Sequence, residues 1–342
     1  MKYATVLDST FALHETPAGH PERPDRILAI IEALEKWDQS QQLMRISPSQ
    51  AQEEWILAVH TKEHFQRIKA TAERSFYQLD PDTYTSPQSF EIALQAAGSA
   101  VDLANQLLQG EIDTGFALVR PPGHHAESNR AMGFCLFNNI AVAADWVIKQ
   151  GEIDKVAVVD FDVHHGNGTQ EIFYSRSEVL YLSTHQYPFY PGTGYFTEIG
   201  EDQGKGFTVN FPIRTGTGNY FYCALFRDFV LPIIRQFSPQ LILVSAGYDA
   251  HKNDPLSGMN LDVEGFCEMA NLLNGVAREV CGGRILYVLE GGYHLRALSE
   301  AVLCTIATTL EPKKFDIEEQ QTEEYAAYRE HMRQAFSGYW SL

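Results

Sequence analysis

The chain has 342 residues, of which 44% are hydrophobic and 12% aromatic. That is ample for one large α/β core or two ordinary ones, and too apolar for disorder. Its 44 acidic against 26 basic residues give a formal charge of −18, which disfavours nucleic acids and anionic membranes, where cationic contacts carry the affinity.

In chain order, Tyr3 to Leu7 predicts an opening strand. The Pro-rich loop His20 to Arg26 leads into a helix marked by Ile27, Ile30, Ile31 and Leu34, with Pro24 in its first turn. Thr61 predicts the N-cap of a helix reaching about Ser75. Ser86-Pro87 predicts a cap and first-turn pair for a helix that stops at Gly110. Phe116 to Val119 is an apolar run that breaks at Arg120-Pro-Pro-Gly-His-His125. Asn139 to Gln150 reads as a helix closed by Gly151. Three further apolar runs, Val179–Leu182, Leu241–Val244 and Ile285–Leu289, precede Ser183-Thr-His185, Ser245-Ala-Gly-Tyr-Asp249 and Glu290-Gly-Gly-Tyr-His294. Helical patterns at Tyr220 to Phe237 and Val263 to Val280 separate them, the second with Asp262 as cap and Gly282 as stop. From Asp316 to Glu324 the chain reads as an acidic, solvated helical tail.

Continuous apolar runs alternating with helices predict a mainly parallel sheet covered on both faces, and a single domain over 1–342 with the tail beginning near 314. In such sheets ligands bind beyond the carboxyl ends of the strands. Here the unusual polar residues follow directly on the apolar runs. The five cysteines (Cys135, Cys223, Cys267, Cys281 and Cys304) form no C-x-x-C pair, so free thiols and a reduced, cytoplasmic setting are expected rather than a disulfide framework. No signal peptide or membrane-spanning segment is read, and neither nucleic acid nor membrane is expected as a partner, with an oligomer left open.

The stretch Val156 to Gly168 is the most informative. A buried strand, Val156 to Val159, ends in Asp160, Asp162, His164, His165 and Asn167. If the strand continued, Asp160, Asp162 and His164 would share one side. Two carboxylates and an imidazole are costly to desolvate without a partner, and a divalent metal is the simplest one. Asp162 and His164, at i and i+2, reach one ion from an extended segment, and Asp249 from another strand end closes the set. Three protein ligands leave a coordination position open, as catalysis requires. Beside a metal, His124 and His125 have the chemistry to take a proton from water and return it to a leaving amine, with Asp160 and Asn167 available to fix their tautomers. Tyr293, after two glycines, offers a neutral phenol to an oxyanion.

Arg120-Pro-Pro-Gly-His-His-Ala-Glu127, Gly133-Phe-Cys-Leu-Phe-Asn-Asn139, Asp160 to Gln170, Tyr190-Pro-Gly-Thr-Gly194, Gly247-Tyr-Asp249 and Glu290-Gly-Gly-Tyr293 together resemble the zinc-dependent histone deacetylase family. That family includes bacterial histone-deacetylase-like and acetylpolyamine amidohydrolases on an arginase-like fold. Asn167 looks like the class II branch. The resemblance implies Zn²⁺ on Asp162, His164 and Asp249, with Fe²⁺ or Co²⁺ also accepted by such a set. It implies His125 as general base and acid backed by Asn167, His124 paired with Asp160 as electrostatic partner, and Tyr293 as oxyanion donor. Phe134 and Tyr190 would wall a tunnel for an acyl-lysine stem, and the Gly133 carbonyl would accept the scissile N–H. Asp82, Leu256 and Gly291 would also contact substrate, and a structural K⁺ would sit near Asp160, Asp162, His164, Ser183 and Thr184. Leu256 stands where polyamine-selective relatives carry a glutamate, which favours acyl-lysine over acetylpolyamine substrates. A ureohydrolase-type binuclear site would need a further carboxylate shortly after Asp162-x-His164, where this chain has His165 and Gly166. A non-catalytic acyl-lysine binding protein is the reading from another class.

Overall fold

A computed structural model of the chain describes residues 1–313, 315–317 and 322–342. Ten strands are formed among them: β1 (Tyr3–Val6), β2 (Leu43–Ile46), β3 (Tyr77–Asp80), β4 (Thr83–Thr85), β5 (Thr114–Ala117), β6 (Val156–Asp160), β7 (Val179–Gln186), β8 (Thr208–Ile213), β9 (Leu241–Ala246) and β10 (Ile285–Leu289). Eight of these form one parallel sheet in the order β2-β1-β5-β10-β9-β6-β7-β8, while β3 and β4 make a separate antiparallel hairpin. The six inner strands are buried at every residue, so apolar side chains dominate them, although β7 runs on beyond its apolar half through Ser183 to Gln186. The predicted single-domain α/β class is the observed one.

Eleven α-helices accompany the strands among the described residues: α1 (Asp25–Glu35), α2 (Glu53–Leu57), α3 (Lys62–Lys69), α4 (Ser89–Leu108), α5 (Asn139–Lys149), α6 (Asn167–Phe173), α7 (Asn219–Leu225), α8 (Leu231–Phe237), α9 (Val263–Cys281), α10 (Leu295–Leu310) and α11 (Glu323–Phe336). Local chemistry sets their ends. Thr61 accepts from the His64 N–H at the start of α3, and Asp262 accepts from Glu264 and Gly265 at the start of α9. Gly282 ends α9 with φ +65°, a left-handed value that a residue without Cβ adopts at little cost.

Several boundaries differ from expectation. The helix after Ser86-Pro87 begins at Ser89, because Ser86 and Ser89 spend their polar groups on each other: the Ser86 N–H donates to Ser89 Oγ at 2.7 Å. The helix capped by Thr61 is α-helical only to Lys69 and tightens into a 3-10 turn over Ala70–Glu73. Tyr220 to Phe237 is interrupted by a π-helical turn, Phe226–Val230, between α7 and α8. Of the expected acidic helix, residues 318–321 lie outside the described ones and Asp316 and Ile317 are not helical. Nor is α11 merely solvated: Tyr325, Met332 and Phe336 are buried, and the Tyr325 hydroxyl donates to Asp228 at 3.0 Å. Phe336 packs edge-on against Phe211 of β8, so α11 covers part of the sheet's edge strand.

The expectation of free thiols holds for Cys135, Cys223 and Cys281, which are buried. It fails for Cys267 and Cys304, which are joined as a disulfide between α9 and α10 with their Cα atoms 5.7 Å apart. Spacing along the chain does not reveal a pair 37 residues apart on two adjacent helices. No helix among the described residues is long and apolar enough to cross a membrane.

Candidate active site

The carboxyl ends of β5, β6, β7, β9 and β10 deliver the polar residues to one place. Strand β6 stops at Asp160 instead of continuing, since the Asp160 carboxylate turns back to accept from the Asp162 N–H at 3.2 Å. Asp162 and His164 therefore project from a turn. Their ligand atoms lie with one of Asp249 within 4.8 Å of one another, and all three residues are buried. His164 Nδ1 is 3.2 Å from Asp162 and 3.0 Å from Asp249. The neighbouring backbone approaches so closely that only glycine fits: the Gly291 N–H donates to Asp162 at 2.8 Å, and a Cβ at Gly291 or Gly247 would strike the Asp162 carboxylate.

The electrostatics of this trio call for a cation. Burial, and then Asp162, push the Asp249 carboxyl up to about 7. Burial opposes a proton on His164, yet its two carboxylate neighbours lift it to about 10. A buried cluster that holds a proton so tightly is one that a divalent ion can occupy by displacing it.

His124 and His125 differ although they are adjacent. Burial resists charge on His124, but Asp160, Asp162 and Glu290 outweigh it and raise its pKa to about 10. Its Nδ1 lies 3.0 Å from Asp160, which also accepts from the Tyr181 hydroxyl at 3.1 Å. His125 is held well below its usual value, by burial first and then by His124 and His164. Its Nδ1 meets Asn167 Oδ1 at 2.8 Å, so the neutral ring donates there and keeps Nε2 as a free acceptor.

A cavity of about 530 Å³ opens over these groups, lined by Asp82, His125, Gly133, Phe134, His164, Gln186, Phe189, Tyr190, Leu256 and Tyr293 among others. Tyr190 stands edge-on to His125 with ring centres 5.2 Å apart, and Phe134 edge-on to Tyr293 at 5.7 Å. Gly133 and Phe134 both have positive φ, +56° and +71°. At Gly133 a Cβ would enter the His125 ring, and the phenylalanine accepts a conformation rare for its type. Asp82 holds this turn by accepting from the Gly133 N–H at 3.2 Å.

Of the residues singled out from sequence, Asp82, His125, Gly133, Phe134, His164, Tyr190, Leu256 and Tyr293 line the cavity; Gly291 instead sits beneath Asp162. Asp160 and Ser183 are register partners across β6 and β7, and the Thr184 hydroxyl donates to the Asp160 carbonyl at 3.5 Å. His165 faces away from the ligands, meeting Thr193 and Gln170, and burial lowers its pKa to about 3.

Six charged residues received no role from the sequence. Glu290, pushed up to about 7 by burial, accepts from the N–H groups of Gly123 and His124 at 2.7 and 3.1 Å. Glu127 accepts from Asn167. Asp254 accepts from the N–H of Tyr293 at 2.6 Å. Glu22 and Arg26 form a buried ion cluster with Arg120, and the Arg26 guanidinium lies 4.9 Å from the centre of the Tyr293 ring. A charge directly after an apolar run, as at Glu290, was the one available signal.

A model of the histone deacetylase domain matches residues 20–309. This chain belongs to the histone deacetylase family. It is 39% identical over 290 residues to a probable deacetylase of Archaeoglobus fulgidus, covering 84% of this chain and 80% of that one. It is 38% identical over 325 residues to the histone deacetylase-like amidohydrolase of Pseudomonas aeruginosa, covering 93% and 85%. Histone deacetylase 5 of Arabidopsis thaliana is 40% identical over 332 residues, 92% of this chain but 50% of that longer protein. Among solved structures, the HD domain of HDA15 superimposes with a TM-score of 0.93 at 37% identity over 99% of this chain and 97% of that one. Membership makes this chain a deacetylase-family hydrolase acting on amide bonds of acetylated compounds.

Proposed function

We propose that the chain hydrolyses the amide of N-acetyl-lysine side chains, releasing acetate and the free amine. One observation carries the reading. A neutral His125 with a free Nε2, His164 of the buried Asp162–His164–Asp249 trio and the Tyr293 side chain line one aromatic-walled cavity.

Asp162, His164 and Asp249 would hold a divalent ion, Zn²⁺ or alternatively Fe²⁺ or Co²⁺. When bound, the ion supplies a Lewis acid that polarises the acetamide carbonyl and acidifies its water. His125 takes a proton at Nε2 and returns it to the departing amine, while Asn167 keeps the opposite nitrogen protonated. His124, charged beside Asp160, stabilises the negative charge that develops next to it. Tyr293, whose hydroxyl stays neutral because burial raises its pKa, donates to the oxyanion. Phe134 and Tyr190 grip the apolar stem of the substrate, and the Gly133 carbonyl receives the scissile N–H. A structural K⁺ belongs to the same proposal, near Asp160, Asp162, His164, Ser183 and Thr184, where the ends of β6 and β7 run side by side.

Acetylpolyamine hydrolysis on the same site is the second reading, favoured by the charge of −18, which attracts cations. A substrate panel at matched metal loading separates the two. Higher kcat/KM on an acetyl-lysine peptide than on acetylspermidine supports the first reading, and the reverse order replaces it. Binding of both without turnover would leave only an acyl-lysine binding protein.

A further inference from the structure

Between β7 and β8 the chain forms a loop, residues 187–200, that brings Phe189 and Tyr190 to the cavity. Phe189 stacks on His164 with ring centres 5.4 Å apart and planes at 17°, and Tyr190 stands against both His125 and His164. Yet Tyr190 is 36% exposed, so packing alone does not fix it. The loop is held further along.

Glu198 accepts from the Gly194 N–H with both carboxylate oxygens at 3.0 Å and from the Tyr195 N–H at 3.0 Å. It also accepts from Gln170 Nε2 at 2.6 Å. A carboxylate only accepts, so this contact fixes which end of the Gln170 amide faces it. Gln170 Oε1 is thereby turned inward, where it accepts from Asn210 Nδ2 at 2.7 Å and faces His165 Nε2 at 3.0 Å. The His165 ring donates at Nε2 and accepts at Nδ1, where the Thr193 hydroxyl lies 2.8 Å away. The relay thus starts on the loop at Glu198 and returns to the loop at Thr193. On its way it passes through the residue next to His164. His185 adds a third hold, with Nε2 2.8 Å from the Gly194 carbonyl.

We propose that Glu198 is the positioning residue of the cavity wall: its acceptor-only carboxylate sets the direction of every hydrogen bond in this relay, and so keeps Phe189 and Tyr190 in register with His164. The assignment rests on the reading of the cavity as the acyl-amine site. Glu198→Gln keeps the shape and removes the acceptor-only character, whereas Glu198→Asp keeps the character on a shorter stem.

The test is steady-state kinetics of the metal-loaded protein on an acetyl-lysine peptide, with metal content and amide hydrogen exchange measured alongside. Glu198→Gln raises KM about tenfold and changes kcat less than about threefold, the scale of losing charge-assisted hydrogen bonds. Its metal content stays at the wild-type level, and the Gly194 and Tyr195 amides exchange faster. Glu198→Asp lies between the two. Wild-type KM in Glu198→Gln overturns the proposal, as does a raised KM with unchanged exchange. If Glu198→Gln fails to fold, Thr193→Val, at an exposed position, carries the same test with a smaller KM rise. If the wild type hydrolyses no acetamide, the functional reading fails. Exchange at Phe189 and Tyr190 in the variants then still decides whether Glu198 positions the wall.

Discussion

The Glu127 carboxylate accepts from Asn167 Nδ2 at 2.8 Å, which turns the Asn167 carbonyl oxygen towards the His125 ring. An amide has two interchangeable-looking ends, and a fixed acceptor on one side chooses between them. Glu127 therefore sets the tautomer of His125 without touching it.

A carboxylate at position 167 would change the acid limb of the rate profile. In the proposed mechanism His125 would serve as a base only when unprotonated, and burial with His124 and His164 holds its pKa below 6.5. Activity thus falls as the pH drops through that low value. In Asn167→Asp a negative charge favours the imidazolium and moves the acid limb of kcat/KM up by about 1–2 pH units. Glu127→Gln, which frees the amide to flip, lowers kcat with no such displacement. An acid limb unmoved in Asn167→Asp would remove the assigned role of His125.

The proposed metal uptake by Asp162, His164 and Asp249 would be coupled to proton release, and the sign follows from the trio. Without an ion, His164 is lifted to about 10 by Asp162 and Asp249 despite burial, and Asp249 stands near 7. Near pH 8 the empty trio carries a proton on His164, and an ion must displace it. Calorimetry in buffers of different ionisation enthalpy is expected to show about one proton released per ion bound. Affinity weakens from pH 8 to pH 6 as Asp249 also protonates. Binding with no proton release would contradict the assigned ligands. Asp249→Ala is expected to lose both the ion and turnover.

The buried ion cluster behind Tyr293 predicts a stability effect with its own pH window. Glu22 lies between Arg26 at 3.0 Å and Arg120 at 2.7 Å, all three fully buried. Burial alone would raise the Glu22 carboxyl, but Arg120 and Arg26 hold it well below its usual 4.5. A depressed carboxyl contributes stability that is complete above its unfolded value and is lost as the pH falls towards its folded one. Glu22→Gln leaves two guanidinium groups buried without their counter-charge, at a cost of about 3–5 kcal/mol in urea unfolding at pH 7. It should also flatten the fall in wild-type stability below pH 4.5. Equal stability of the two proteins at pH 7 would show that water reaches the cluster.

The apolar runs of the inner strands and the polar residues after them were legible because burial on both faces favours apolar side chains, although β7 itself extends through the polar Ser183 to Gln186. Strand β2 was not, since Leu43–Ile46 is short and half exposed, and β8 contains Pro212, which argues against a strand. The clustering of Asp162, His164 and Asp249 was legible as chemistry, because two acids and a histidine at buried strand ends call for a partner. Glu22 and Arg120 were not: their spacing of 98 residues hides the pairing. Glu198 and Gln170 look like ordinary polar residues until the fold places each against the other.

Leu256 provides the sharpest test of substrate choice. It lines the cavity, and its N–H donates to Asp254 Oδ1 at 3.0 Å, while the other oxygen of Asp254 receives the Tyr293 N–H at 2.6 Å. Position 256 is thus tied through Asp254 to Tyr293, and on the proposed reading its side chain would face the stem of the bound substrate. An apolar leucine there suits the methylenes of lysine and offers a polyamine's second ammonium group nothing. In Leu256→Glu a carboxylate in a partly desolvated wall attracts that cation and penalises an apolar stem. The ratio of kcat/KM for acetylspermidine to that for an acetyl-lysine peptide should rise about tenfold or more. The change should shrink at high salt, because the gain is Coulombic. An unchanged ratio would mean that selection is made outside the cavity wall, at its mouth.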